Sequence, residues 1–141
     1  MKHCQVSQSL LINVPPANVW GIINAVEGME DWYPGLIQSS KTTYSEGGVA
    51  RVCTMANGGT LNERILLRDT ATRTFVYAID QHPLPAKNVV GTLRVDDFDG
   101  HAHVTWSAQF TTEDADHNAM SEMVNAMYRN GLSSLSAFAQ T

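Results

Sequence analysis

Only two cysteines, Cys4 and Cys53, occur in 141 residues. That excludes a small secreted fold stapled by several disulfides, and both residues read as free thiols in a reducing compartment. No apolar run approaches the ~20 residues of a membrane helix. The opening MKHCQVSQSLLINVPPA has one lysine and too short an apolar stretch for a secretory leader. Basic residues are also scarce: nine Lys and Arg stand against fourteen Asp and Glu, for a net charge of −5. They are scattered, which excludes nucleic acid or an anionic membrane surface as the main partner. No glycine loop precedes a helix in the phosphate-cradling pattern, because Asn57-Gly58-Gly59 lies between strand candidates. Internal repeats and low-complexity segments are absent. These exclusions predict a single domain over residues 1–141, cytoplasmic, without membrane insertion and with no nucleic-acid partner.

What is present is a strand, two short helical segments, six strands and a long helix. Residues 4–14 read as the first strand, stopped by Pro15-Pro16, where proline suits a first helical turn. In ANVWGIINAV, Val19, Ile22, Ile23 and Val26 follow the spacing of a buried helix stripe. EGMEDWYPG is a turn or a second small helix ended by Pro34-Gly35. Strand candidates follow at 36–46, 49–56, 60–69, 73–81, 87–96 and 102–112. Met120, Met123, Val124, Met127, Gly131, Leu135 and Phe138 then form one face of a helix of about 24 residues. Asp114 and Asp116 stand at its start, where the helix dipole favours negative charge. Grouped strands with segregated helices indicate an α+β fold with an antiparallel sheet.

Two hairpin registers can be read. A two-residue turn at Asp99-Gly100 pairs Val95 with Val104, Leu93 with Trp106, Gly91 with Ala108 and Val89 with Phe110. The alternate pairs, Asp96 with His103, Arg94 with Thr105 and Thr92 with Ser107, are all polar, and a one-residue slip would destroy that sorting. A three-residue loop at Asn57–Gly59 pairs Met55 with Leu61, Cys53 with Glu63 and Arg51 with Ile65. In LNERILLRD, the inward face holds Leu61, Glu63, Ile65 and Leu67, so a carboxylate falls among hydrocarbons, where an unpaired charge is expensive. Three roles suit Glu63: an ion pair with Arg51 or a bond to a tyrosine, a polar anchor in an apolar pocket, or a catalytic acid or base. Two ligands on one strand, His101 and His103, face outward in this register, and DDFDG lacks the spaced ligands of a calcium loop, so no metal site is expected.

The order VPPANVWGIINAVEGMEDWYPG, GGTLNERILLRDTATRTFVYAIDQHPLPAKNVVGTLRV, HVTWSAQF and YRNGLSSLSAF resembles the START and polyketide-cyclase-like superfamily (SRPBCC), in its polyketide cyclase/dehydrase-type branch. This is the helix-grip fold of the birch pollen allergen. The resemblance implies a seven-stranded curved antiparallel sheet wrapped around the long C-terminal helix, with two short helices between strands one and two and a cavity inside. Glu63-Arg64 also resembles a Glu-Arg pair of the plant abscisic acid receptors, whose glutamate faces the ligand cavity. DQHPLPAKN is similar in position to one mobile mouth loop of those receptors. NGGTLN is short where their other loop is long, and Tyr33 stands at their cavity lysine, so neither hormone gating nor an anionic ligand is implied.

These readings combine in one expectation: a small, largely apolar molecule is held between the sheet and the last helix. Its contacts would be Tyr33, Cys53, Met55, Glu63, Tyr77, Val89, Trp106, Met123 and Met127, with Pro83 and Leu84 on a loop at the mouth. Glu63 would be the polar anchor and Tyr33 or Tyr77 a hydrogen-bonding partner. Gly91 and Gly131 on inner faces would leave room, and the methionines would give an adaptable wall. No cofactor is expected. The alternatives are a polyketide cyclase or dehydratase with Glu63 as its acid or base, and a protein-interaction module.

Overall fold

The computed structural model describes all 141 residues. The elements are β1 (Lys2–Ile12), α1 (Pro16–Asn24), α2 (Met29–Trp32), β2 (Ile37–Ser45), β3 (Gly48–Met55), β4 (Thr60–Asp69), β5 (Thr74–Gln81), β6 (Lys87–Phe98), β7 (His101–Thr112) and α3 (His117–Ala139). A 3₁₀ turn at Asp114–Asp116 leads into α3. The seven strands form one antiparallel sheet in the order β1-β7-β6-β5-β4-β3-β2. The long helix lies across β1 and β7 on the concave side, and α1 and α2 close one end. This is the α+β helix-grip architecture. No helix is long and apolar enough to cross a membrane.

Local chemistry places each element. Pro15 is extended, as a residue before proline prefers, and Pro16 opens α1. Val19, Ile23 and Val26 are buried beneath α1, with Ile22 half-buried. At the β6–β7 turn, Asp99 and Gly100 both take positive φ, +54° and +85°, as a type I′ hairpin requires. The register then follows the apolar sorting: Val95 opposite Val104, Leu93 opposite Trp106 and Gly91 opposite Ala108. The regular pairing stops beyond Val90, where the register shifts before Lys87 and Asn88 takes φ +54°, so Val89 and Phe110 do not form the expected pair.

Three expectations are corrected. The β3–β4 loop is Ala56–Gly58, not Asn57–Gly59. Gly58, at φ +94°, takes the left-handed position, and the Met55 N–H donates to the Gly59 carbonyl at 2.7 Å to close the hairpin. Pairing therefore shifts by two residues: Arg51 lies opposite Glu63, and Cys53 opposite Leu61. A shift of two preserves which side chains face inward. A bulge between Ile65 and Leu67 leaves Leu66 unpaired and turns Leu67 to the outer face, where it is exposed. On α3 the buried stripe is Met120, Val124, Tyr128, Gly131, Leu132 and Leu135. Met123 and Phe138 are 42% and 37% exposed, so neither belongs to that inner face.

Candidate functional site

The register correction puts Arg51 and Glu63 side by side on the concave face, each about 5% exposed. Arg51 donates from Nε and Nη2 to the same oxygen, Glu63 Oε1, at 3.0 and 2.6 Å. Its Nη1 donates to the Val26 carbonyl at 2.9 Å. Val26 has φ +65°, a rare conformation for a β-branched residue. The guanidinium carbon also lies 5.8 Å from the centre of the Phe75 ring. Glu63 Oε2 receives only the Cys53 thiol, a sulfur contact at 3.9 Å. Burial, reinforced by the charge of Glu63, pushes that thiol up to about 12, so it stays protonated and acts only as a weak donor.

Next to this pair stands an aromatic group. Trp106 Nε1–H donates to the Tyr77 hydroxyl at 2.9 Å, and the Tyr77 and Tyr128 hydroxyls share a bond at 3.0 Å. Trp106 stacks on Tyr128 with centroids 4.3 Å apart and planes 11° from parallel. Burial, then the negative charge of Glu63, pushes Tyr77 up to about 12, and burial holds Tyr128 well above the usual phenol range. Both stay protonated at neutral pH.

Arg51, Glu63, Tyr77, Trp106 and Tyr128 all line one small cavity of about 50 Å³ between sheet and helix. The sheet supplies Leu61, Tyr77, Val89, Trp106 and Phe110, and α3 supplies Met120, Val124, Met127 and Tyr128. Leu36, His82 and Leu84 are also in the lining, which is hydrophobic at 14 of its 17 residues, so Arg51 and Glu63 stand out against it.

His82 gives the β5–β6 loop its local order. The Leu84 N–H donates to His82 Nδ1 at 3.1 Å, which fixes the neutral ring's proton on Nε2. Partial burial depresses the His82 pKa below its ordinary 6.5. The sign follows from linkage: between the depressed folded pKa and 6.5 the unfolded chain binds more protons, so stability rises with pH across that window. Acidification through pH 6.5 is therefore expected to loosen this loop, since a protonated Nδ1 cannot accept from Leu84. Amide exchange at Leu84 should accelerate on acidification relative to its neighbours in β5. Uniform behaviour across the loop and strand would contradict the assignment.

The residues expected to meet a ligand separate into two groups. Glu63, Tyr77, Leu84, Val89, Trp106 and Met127 line the cavity together. Tyr33, Cys53 and Met55 are buried in the core outside it. Tyr33 ties the end of α2 to α3, donating its hydroxyl to the Met127 carbonyl at 2.5 Å. Cys53 sits behind Glu63. Pro83 is exposed near Gly59, and Met123 points away on the outer side of α3. The room expected beside the inner glycines is filled by aromatic rings: a side chain at Gly91 would enter the Tyr77 ring, and one at Gly131 would strike Tyr33 and Trp106. The sequence reading missed Tyr128, although its spacing of four and eight residues from Val124 and Met120 marks it as part of the same stripe. The sequence register puts Arg51 one step diagonal to Glu63, whereas in the structure it lies directly opposite and is part of the lining.

A family model described as "Polyketide cyclase / dehydrase and lipid transport" matches residues 3–140. No curated protein matches the chain. Among solved structures, a protein from Bacillus thuringiensis is similar with a TM-score of 0.89 and 28% identity, covering 98% of this chain and 100% of that one. The protein XoxI from Bacillus cereus gives 0.83 and 29%, with 97% and 94% covered. A protein from Nitrosospira multiformis gives 0.78 and 26%, with 95% and 94% covered.

Proposed function

Because the chain belongs to the polyketide cyclase/dehydrase and lipid transport family, we propose that it binds a small, largely apolar molecule between the concave face of the sheet and α3. One observation carries this reading: the lining of an apolar cavity includes a buried Arg51–Glu63 pair with a carboxylate oxygen, Oε2, that lacks a strong donor. Binding pockets typically combine an apolar lining with a few placed polar groups of this kind. The cavity of about 50 Å³ is well below the ~150 Å³ that accommodates benzene, so a ligand displaces side chains as it enters. Met127, half-buried and unbranched, and Leu84 on the mouth loop are the most easily moved.

The same atoms support a second reading. Glu63 Oε2 could accept a proton while a tyrosine hydroxyl polarises a carbonyl, as a cyclase or dehydratase would require. Native mass spectrometry of the protein from its own host is expected to show an adduct that denaturation releases as a low-polarity compound. A protein with no adduct, whose Trp106 and Tyr128 signals no apolar compound moves, would sink the binding reading. Conversion of the released compound by the emptied protein, lost in Tyr128→Phe, would favour the enzyme.

A further inference from the structure

Counting protons among the polar groups of the cavity lining narrows the chemistry of the ligand. Trp106 Nε1–H occupies one lone pair of the Tyr77 oxygen. Tyr77 and Tyr128 have two hydroxyl protons between them, and one lies in the bond they share. In either orientation the other proton has no protein acceptor. Glu63 presents the opposite deficit: Arg51 takes Oε1 twice, and Oε2 has only a distant thiol. Glu63 pairs with Ile79 and Ile65 pairs with Tyr77, so the carboxylate and the Tyr77 ring are diagonal neighbours on one face of β4 and β5. The site therefore offers one unused donor and one unused acceptor, both buried, where unmade hydrogen bonds are costly.

We propose that the ligand is an uncharged molecule carrying a hydroxyl, an alcohol or a phenol, and that the site discriminates against carboxylates. This rests on the binding reading given above. A hydroxyl both donates and accepts, so a single group can donate to Glu63 Oε2, and its oxygen or a second one can accept the spare tyrosine proton. A carboxylate has nothing to donate to Glu63. It would also add a negative charge where the one nearby cation, Arg51, is already neutralised by Glu63. The hydroxyls feel the same field: at Tyr77 the raising effect of Glu63 outweighs the opposing effect of Arg51.

Phenol, toluene and benzoate separate these possibilities, being small rings that carry a hydroxyl, a methyl and a carboxylate. Titration at pH 7 is followed at the Trp106 indole N–H resonance, assigned by its loss in Trp106→Phe. Phenol is expected to bind about fivefold more tightly than toluene, the worth of a typical hydrogen bond, and at least about tenfold more tightly than benzoate. Toluene equal to phenol, or benzoate at least as tight as phenol, would overturn the hydroxyl inference while leaving apolar binding in place. If none of the three moves the Trp106 signal, the pocket reading falls with it. In the double variant Arg51→Met with Glu63→Leu, phenol is expected to lose its advantage over toluene. A retained advantage would overturn the role given to Glu63, and if that variant does not fold, the wild-type order alone decides.

Discussion

Glu63→Gln is expected to destabilise the protein by about 3–5 kcal/mol, the cost of stranding one member of a buried ion pair. For a chain of this length that is roughly 10–15 °C in the unfolding midpoint. The substitution looks conservative because it keeps shape and hydrogen-bonding capacity. Arg51, however, is as buried as Glu63, and two of its three hydrogen bonds end on Glu63 Oε1. A neutral amide oxygen can still accept from Arg51, but it leaves that guanidinium charged and buried with no counter-charge. Replacing both residues with apolar ones of similar size, Arg51→Met with Glu63→Leu, is expected to recover most of the loss, since exchange of a whole buried pair is often neutral or better. Urea titration of the wild type, the single variant and the double variant checks this. A single variant within about 1 kcal/mol of the wild type would show that Arg51 finds water or another partner when Glu63 is neutral. The result also bears on function, because a loss of turnover in Glu63→Gln could be a loss of folded protein. The tyrosine pair is the better place to look for chemistry.

The sheet was legible because its pattern is redundant. In β6 and β7 three apolar pairs alternate with three polar ones, and only one register produces that sorting. The position of Glu63 was legible for a related reason: a shift of two residues, the error made at the β3–β4 loop, leaves every side chain on its own face. The loop itself was ambiguous because Gly58 and Gly59 are adjacent and either can take a left-handed conformation. Only the closing bond from Met55 to Gly59 decides between them. The helix was harder. Met123 lies one position from Val124, and hydrophobicity alone admits both to the buried stripe, whereas the stripe here steps by four through Met120, Val124 and Tyr128 and leaves Met123 at its exposed edge. Tyr128 is hard to read from sequence because the methionines bias the apparent stripe toward Met127. Its burial depends on Trp106 and Tyr77, which come from strands 22 and 51 residues away in sequence, and no local pattern encodes that meeting. The glycines were read as space for a ligand. They are space for aromatic rings, and sequence does not distinguish a gap from a gap already filled.

Gly131 turns that last point into a measurement with a control in the same molecule. In a helix, glycine to alanine normally stabilises by about 1 kcal/mol. Gly21 in α1 should behave so: it is exposed, and an added Cβ would meet nothing within 4 Å. At Gly131 the added Cβ would lie 2.6 Å from Trp106 Cζ3 and 2.6 Å from Tyr33 Cε2. Neither ring can retreat alone. Trp106 is stacked on Tyr128, stands 5.7 Å from Trp32 and donates to Tyr77, while Tyr33 is fastened to the Met127 carbonyl. Gly131→Ala is therefore expected to destabilise by about 1–3 kcal/mol, the usual range for overpacking. Gly131→Leu should be worse still, acting on the fold before it acts on any ligand. Thermal unfolding gives the energies, and the near-ultraviolet circular dichroism of the Trp106–Tyr128 stack should change in the Gly131 variants and not in Gly21→Ala. A Gly131→Ala protein as stable as Gly21→Ala, with that signal unchanged, would mean that the cluster yields at little cost. The cavity wall formed by Trp106 would then be soft enough to admit a ligand without moving Met127 or Leu84.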